Sequence, residues 1–173
     1  MSLKNLIKKI ALLDFFYLFS LFSLPFNATV RKQEHDYKSI PILIVNFNQL
    51  FYLRQLLQFL LDKGYKNLVI LDNNSDYPPL LDFYDTIQHQ VTVHRLTENY
   101  GHKVFWLHRP IYELYRKGYF VITDADVVPA ADCPADFLLH FKSLLHRHPF
   151  VKKAGFSLDL DVVPDTNPNK ANI

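Results

Sequence analysis

A chain of 173 residues has room for one domain with a true core and at most a short appendage. Its residues are 49% apolar and 15% aromatic, which excludes a disordered chain, and a net charge of +2 gives no reason to expect a nucleic-acid partner. The one cysteine, Cys133, excludes an internal disulfide and fits a reducing, cytoplasmic setting, and none of the four glycines stands in G-x-G-x-x-G or P-loop spacing.

The first 36 residues differ from the rest. Lys4, Lys8 and Lys9 precede a Phe-rich apolar run from Ile10 to Phe26, broken by Asp14 and Pro25. Phe26-Asn27-Ala28 has a bulky residue where a signal-peptide cleavage site wants a small one, and the run is short for a membrane span. Lysines beside aromatics suit an amphipathic segment lying on an anionic membrane surface, here residues 3–26; packing on the domain is the rival reading. Residues Val30 to Ser39 are mostly polar and read as a linker, so the domain proper is expected over 37–173.

From Ile40 the pattern turns regular. Ile40 to Val45 is a nearly continuous apolar run, the mark of a strand buried on both faces. Asn46 to Asn48 end it, and Gln49 to Lys63 carry leucines at helical spacing up to the C-cap glycine Gly64. A second strand, Leu68 to Leu71, stops at Asp72-Asn-Asn-Ser-Asp76. A helix from about Leu80 to His89 leads to a third strand, Val91 to Arg95. After a polar loop, Thr97 to His102, a third helix spans Val104 to Lys117, kinked or restarted at Pro110. Tyr119 to Thr123 is a fourth strand, a fourth helix runs from Asp132 or Cys133 to His148, and Val151 to Leu160 reads as a fifth strand. Four strand–helix alternations predict an α/β fold with a mostly parallel sheet flanked by helices.

In such sheets ligands bind beyond the carboxyl ends of the strands, where three polar clusters gather: Asn46 to Asn48, Asp72 to Asp76, and Asp124 with Asp126. Asp124 and Asp126 straddle the small Ala125, and carboxylates this close repel unless a cation or donors compensate, so a Mg or Mn site is reasonable. The spacing alone is common and recurs at Asp159 and Asp161; the ordinary alternative is a solvated turn. Asp72 suits acceptance from a nucleobase or ribose, with an Asx-turn as its rival, and Asn73, Asn74 and Asp76 read as turn formers. Asn99, Gly101, His102 and Lys103 precede a helix start, where backbone amides and Lys103 suit a phosphate, or form only an ordinary capped loop. His146 and His148, two apart at a helix end, point away from each other and suit the helix C-terminus better than a metal.

Together these motifs resemble the nucleotide-sugar half of family 2-like glycosyltransferases with the GT-A, Rossmann-like fold, over roughly Pro41 to Pro164. I-L-I-V-N-F-N-Q resembles the first strand and the loop that cups the base, with Asn46 and Asn48 in it. L-V-I-L-D-N-N-S-D resembles the second strand, T-E-N-Y-G-H the Asn-x-Gly loop, and F-V-I-T-D-A-D-V-V-P the D-x-D motif. The resemblance implies a nucleoside contact at Asp72, Asp126 as main metal ligand, and Asp124 assisting through the ribose or a metal-bound water. It implies Mn or Mg, a nucleoside-diphosphate sugar as donor, and a glycan, lipid or other hydroxyl acceptor, with hexosyl-type transfer usually inverting the sugar. In that family a carboxylate later in the chain is the general base; with only residues 127–173 after the motif, this sequence is expected to be the donor half, its C-terminal part missing. Two alternatives follow: a non-catalytic nucleotide-sugar binder, and a haloacid-dehalogenase-type phosphatase, whose first motif also ends a strand in D-x-D-V but opens its core there.

Overall fold

The computed structural model describes residues 27–157, which form a four-stranded, all-parallel sheet flanked by helices. Strands β1 (Ile42–Asn46) and β2 (Leu68–Asp72) are buried at every position, as their unbroken apolar runs require of strands covered on both faces. Strands β3 (Thr92–Arg95) and β4 (Val121–Asp124) are only half covered, because they form the two margins. The order is β3-β2-β1-β4, so the chain builds outward from β1 to one side and then crosses to the other. All of this is α/β and compatible with a Rossmann-like arrangement.

Helix α1 (Ala28–His35) occupies what the polar composition had suggested was a linker. Its hydrophobic signal is weak because only Val30 and Gln33 are buried. It is held by side-chain hydrogen bonds instead. Asn27 accepts from the N–H groups of Thr29 and Val30, and donates to the carbonyl of Lys117 at 2.6 Å. Gln33 donates from Nε2 to the Tyr119 carbonyl and accepts the Tyr119 N–H at Oε1, both at 2.8 Å. The amide thus behaves like a neighbouring peptide unit just ahead of β4. A Cβ at Gly118 would collide with the Gln33 side chain, so glycine there permits the approach.

Helix α2 (Phe51–Asp62) buries Leu53, Leu56, Leu57 and Leu60, the i, i+3, i+4, i+7 face its sequence foretold. It ends where Gly64 adopts φ +79°, with Tyr65 N–H returning to the Leu60 carbonyl at 3.0 Å. Helix α3 (Pro78–Ile87) starts at Pro78 and Pro79 rather than after them, since proline suits the first helical turn. The predicted third helix is two: α4 (Val104–Leu107) and α5 (Arg109–Tyr115). The break lies at His108, because Pro110 has no N–H to give the Trp106 carbonyl and its ring crowds that carbonyl; His108 Nδ1 accepts from Ile111 N–H and caps the new start.

The strands' pleat sorts side chains by face. Leu43 and Val45 of β1 and Val69 and Leu71 of β2 form one fully buried cluster with Val104, Phe105 and Ile111 from α4 and α5. The alternate residues, Ile44, Asn46, Ile70 and Asp72, turn to the opposite face, where Tyr84 of α3 hydrogen-bonds the polar pair. Arg54 of α2 stacks 4.8 Å over Phe83 of α3, making those helices neighbours.

Two compact units divide between Ala135 and Asp136. In the second, α6 (Phe137–Arg147) begins later than its composition suggested, after a turn closed by Cys133 N–H on the Ala130 carbonyl and after Pro134. His146 lies in its last turn and His148 caps it, as the helix-terminus reading of that pair requires. Residues 151–157 form no strand; Phe156 packs on Phe137 and Phe141 at 5.3 and 4.8 Å instead. The apolar segment 3–26 and the pair Asp159 and Asp161 lie outside the described residues.

Candidate functional site

The register lines up the carboxyl ends: Val45 beside Asp124, Asn46 beside Asp72, and Asp72 beside Arg95. The sheet's switch point falls between β1 and β4, with Asn46 to Asn48 on one bank and Asp124 to Asp126 on the other.

Asp72 is fully buried and its carboxylate is already engaged. Oδ1 accepts from the Ser75 hydroxyl and from Tyr84 OH at 2.9 Å, and Oδ2 from Ser75 N–H at 3.2 Å. Asp72 is therefore an internal acceptor that shapes the turn into α3, not an open ligand for a nucleoside, because its neighbours supply the donors a ligand would. Tyr84 OH in turn accepts from Asn46 Nδ2 at 2.8 Å. Burial, chiefly, and the charge of Asp72 push the Tyr84 phenol up, so it stays a donor. Asn46 is 1% exposed, and its Oδ1 accepts no hydrogen bond from the described residues. A buried acceptor left open in this way is uncommon.

Asn48 lies in the left-handed region, φ +54°, and joins two loops. Its Oδ1 accepts from Asp76 and Tyr77 N–H, both at 3.0 Å, which ties its loop to the two residues just ahead of α3. Its own N–H donates to Ser75 Oγ and its Nδ2 to Asp76 Oδ1. Asn73, read from sequence as a mere turn former, is the more consequential residue. Buried at 2% exposure, it donates to the Gly101 carbonyl at 3.0 Å, accepts Tyr100 N–H at 3.2 Å and donates its N–H to the Asn46 carbonyl. One side chain thereby ties the end of β2 to the Asn-Tyr-Gly loop. Its only sequence signal was its place immediately after a buried strand.

In that loop Asn99 Oδ1 accepts the Gly101 N–H at 2.8 Å, so this amide is already used. Gly101 needs its φ of +66°, which a side chain would strain. The loop continues as a single 3-10 turn, Gly101–Lys103, into the four-residue α4. So short a helix carries little dipole, and the helix-start reading of a phosphate site loses its physical basis; Lys103 remains as an exposed cation at the loop's end.

Asp124 ends β4 on the Val45 face, and Ala125 N–H continues the ladder to the Val45 carbonyl at 3.0 Å. Asp124 and Asp126 are exposed around buried Ala125, and neither carboxylate has a hydrogen bond or ion pair among the described residues. No group of three or more His, Cys, Asp or Glu side chains poised for a metal occurs among the described residues. Two free carboxylates still fit Mg or Mn, which commonly take one or two protein carboxylates and complete their shell with phosphate and water.

Two clefts, of about 390 and 410 Å³, lie away from this switch point. The first opens between α1 and the amino ends of β1 and β2, and the second between β3 and α5. Asp124 and Asp126 stand exposed on the carboxyl rim of the sheet. No described helix is long and apolar enough to cross a membrane. No family model matches this chain, and no curated protein matches it in sequence.

Proposed function

We propose that the chain is the donor-binding part of a metal-dependent glycosyltransferase that takes a nucleoside-diphosphate sugar. One observation carries this reading: two unpaired, exposed carboxylates, Asp124 and Asp126, end a parallel strand beside the sheet's switch point. The sequence resemblance described above points the same way. Asp126, assisted by Asp124, would hold Mn or Mg, and that ion supplies charge neutralisation for a departing diphosphate. Asn48 and Asn73 set the loops that border the rim. Asp72 acts indirectly, by fixing the β2–α3 turn. Lys103 faces solvent within reach of the loop that Asn73 holds, and suits the diphosphate charge.

Isothermal titration with UDP- and GDP-sugars, with and without Mn, tests the reading. Metal-dependent binding is expected, weakened about tenfold or more by Asp126→Ala, the equivalent of about 1.4 kcal/mol. Binding indifferent to both metal and substitution would remove the D-x-D assignment. A second reading is a nucleotide-sugar binder without transfer. Turnover of a bound sugar nucleotide separates the two: slow release of free sugar marks an enzyme, and none marks a binder.

A further inference from the structure

We propose that the outer edge of β3, with α5 beside it, is a docking groove for an extended peptide segment in which apolar and acidic residues alternate. The edge comes first. β3 pairs with β2 on one side and, among the described residues, with no strand on the other. Its extended path continues past Arg95, since Leu96 N–H donates to the Asp72 carbonyl at 2.9 Å. Thr92, His94 and Leu96 turn their backbone groups to β2, so within residues 92–96 it is Val93 and Arg95 that present open backbone donors and acceptors outward, along an edge on the order of 17 Å long.

The groove comes second. A cleft of about 410 Å³ runs along residues 93–97 and is walled by His108, Pro110, Ile111 and Leu114. This volume lies in the range that holds bound ligands. None of its lining residues is acidic. His108 Nδ1 accepts from Ile111 N–H, which places the ring proton of the neutral imidazole on Nε2 as a donor.

The pleat then fixes the pattern of the partner. Thr92 and His94 share a face with Val69 and Leu71, so they and Leu96 look toward α5; His94 is held there by Tyr115 OH at 2.8 Å. Arg95 shares the face of Asp72, so its side chain leaves β3 on the side away from α5, while the residue also borders the cleft. It is exposed and has no hydrogen bond or ion pair among the described residues. A strand added to this edge sends alternate side chains into the cleft, beside Leu96, Pro110, Ile111 and Leu114, and past Arg95. Apolar residues suit the first set, and acidic residues suit the second as cross-strand partners of an unpaired cation.

Fluorescence polarisation of a labelled Val-Glu-Val-Glu-Val-Glu-Val peptide on the full chain tests this. Its Lys-for-Glu counterpart and a version N-methylated at alternate amides serve as comparisons. The acidic peptide is expected to bind at least about tenfold tighter than the basic one, with N-methylation abolishing binding. Arg95→Glu is expected to reverse the preference between acidic and basic peptides. Leu114→Glu, at a half-exposed wall position, is expected to weaken binding of the acidic peptide without unfolding the chain. Backbone amide shifts at residues 92–97 should accompany binding. Failure of the acidic peptide to bind, equal binding of both peptides, or insensitivity to N-methylation would overturn the proposal.

Discussion

Tyr84 is the residue on which the buried polar pair depends. It donates to Asp72 and accepts from Asn46, both at 1% exposure or less. Tyr84→Phe removes one oxygen and leaves a buried amide and a buried carboxylate each short of a partner. The expected cost is about 1–3 kcal/mol, read as a lowered midpoint in urea unfolding. The phenols also predict an alkaline limit. A raised folded pKa means that the folded state prefers the protonated ring, so the stabilisation is whole below the unfolded value of 10.0 and is lost as pH climbs above it. Tyr119, pushed up to about 12 by burial and then by Glu34, sets a window from about 10 to 12. Unfolding free energy should fall less steeply across that window in Tyr119→Phe than in the unsubstituted protein. Asp72 also shows why the sequence left its role open. A strand-end aspartate can face a ligand or its own turn, and here the choice was made by Ser75 and by Tyr84 twelve residues downstream.

Among the elements, α1 is the one that hydrophobic periodicity could not reveal. A helix with two buried residues looks like a linker when read for apolar stripes, and its stability comes from Asn27 and from Gln33 reaching residues 86 and 90 positions away. Gln33→Ala leaves the Tyr119 N–H and carbonyl without that partner, and is expected to destabilise by about 1–3 kcal/mol, measured by denaturant titration. By contrast β1, β2 and α2 were legible almost to the residue, because continuous apolar runs and an i, i+3, i+4, i+7 face are local signals. The expected strand at 151 was misread for a related reason. Val151 and Phe156 are β-formers by composition, yet Phe156 finds aromatic partners on α6 rather than a strand to pair with.

For the whole molecule, the order β3-β2-β1-β4 grades protection across the sheet. Amides of Ile42 to Asn46, paired on both sides, should exchange with solvent only on global unfolding, while those of Thr92 to Arg95 and Val121 to Asp124 exchange earlier. Hydrogen-exchange mass spectrometry measures that ranking directly. The strand-end location of the polar clusters was readable from the βα alternation, but the face that each cluster occupies was not, since it depends on register. Register puts Asp72 and Asp124 on opposite faces, with β1 between their strands, hence about 10 Å apart across the sheet. The sheet therefore insulates two kinds of damage from each other. Losses at the Tyr84–Asp72 pair fall on folding, losses at Asp126 would fall on ligand capture under the proposed function, and the double variant Tyr84→Phe with Asp126→Ala should be additive to within about 0.5 kcal/mol in unfolding free energy.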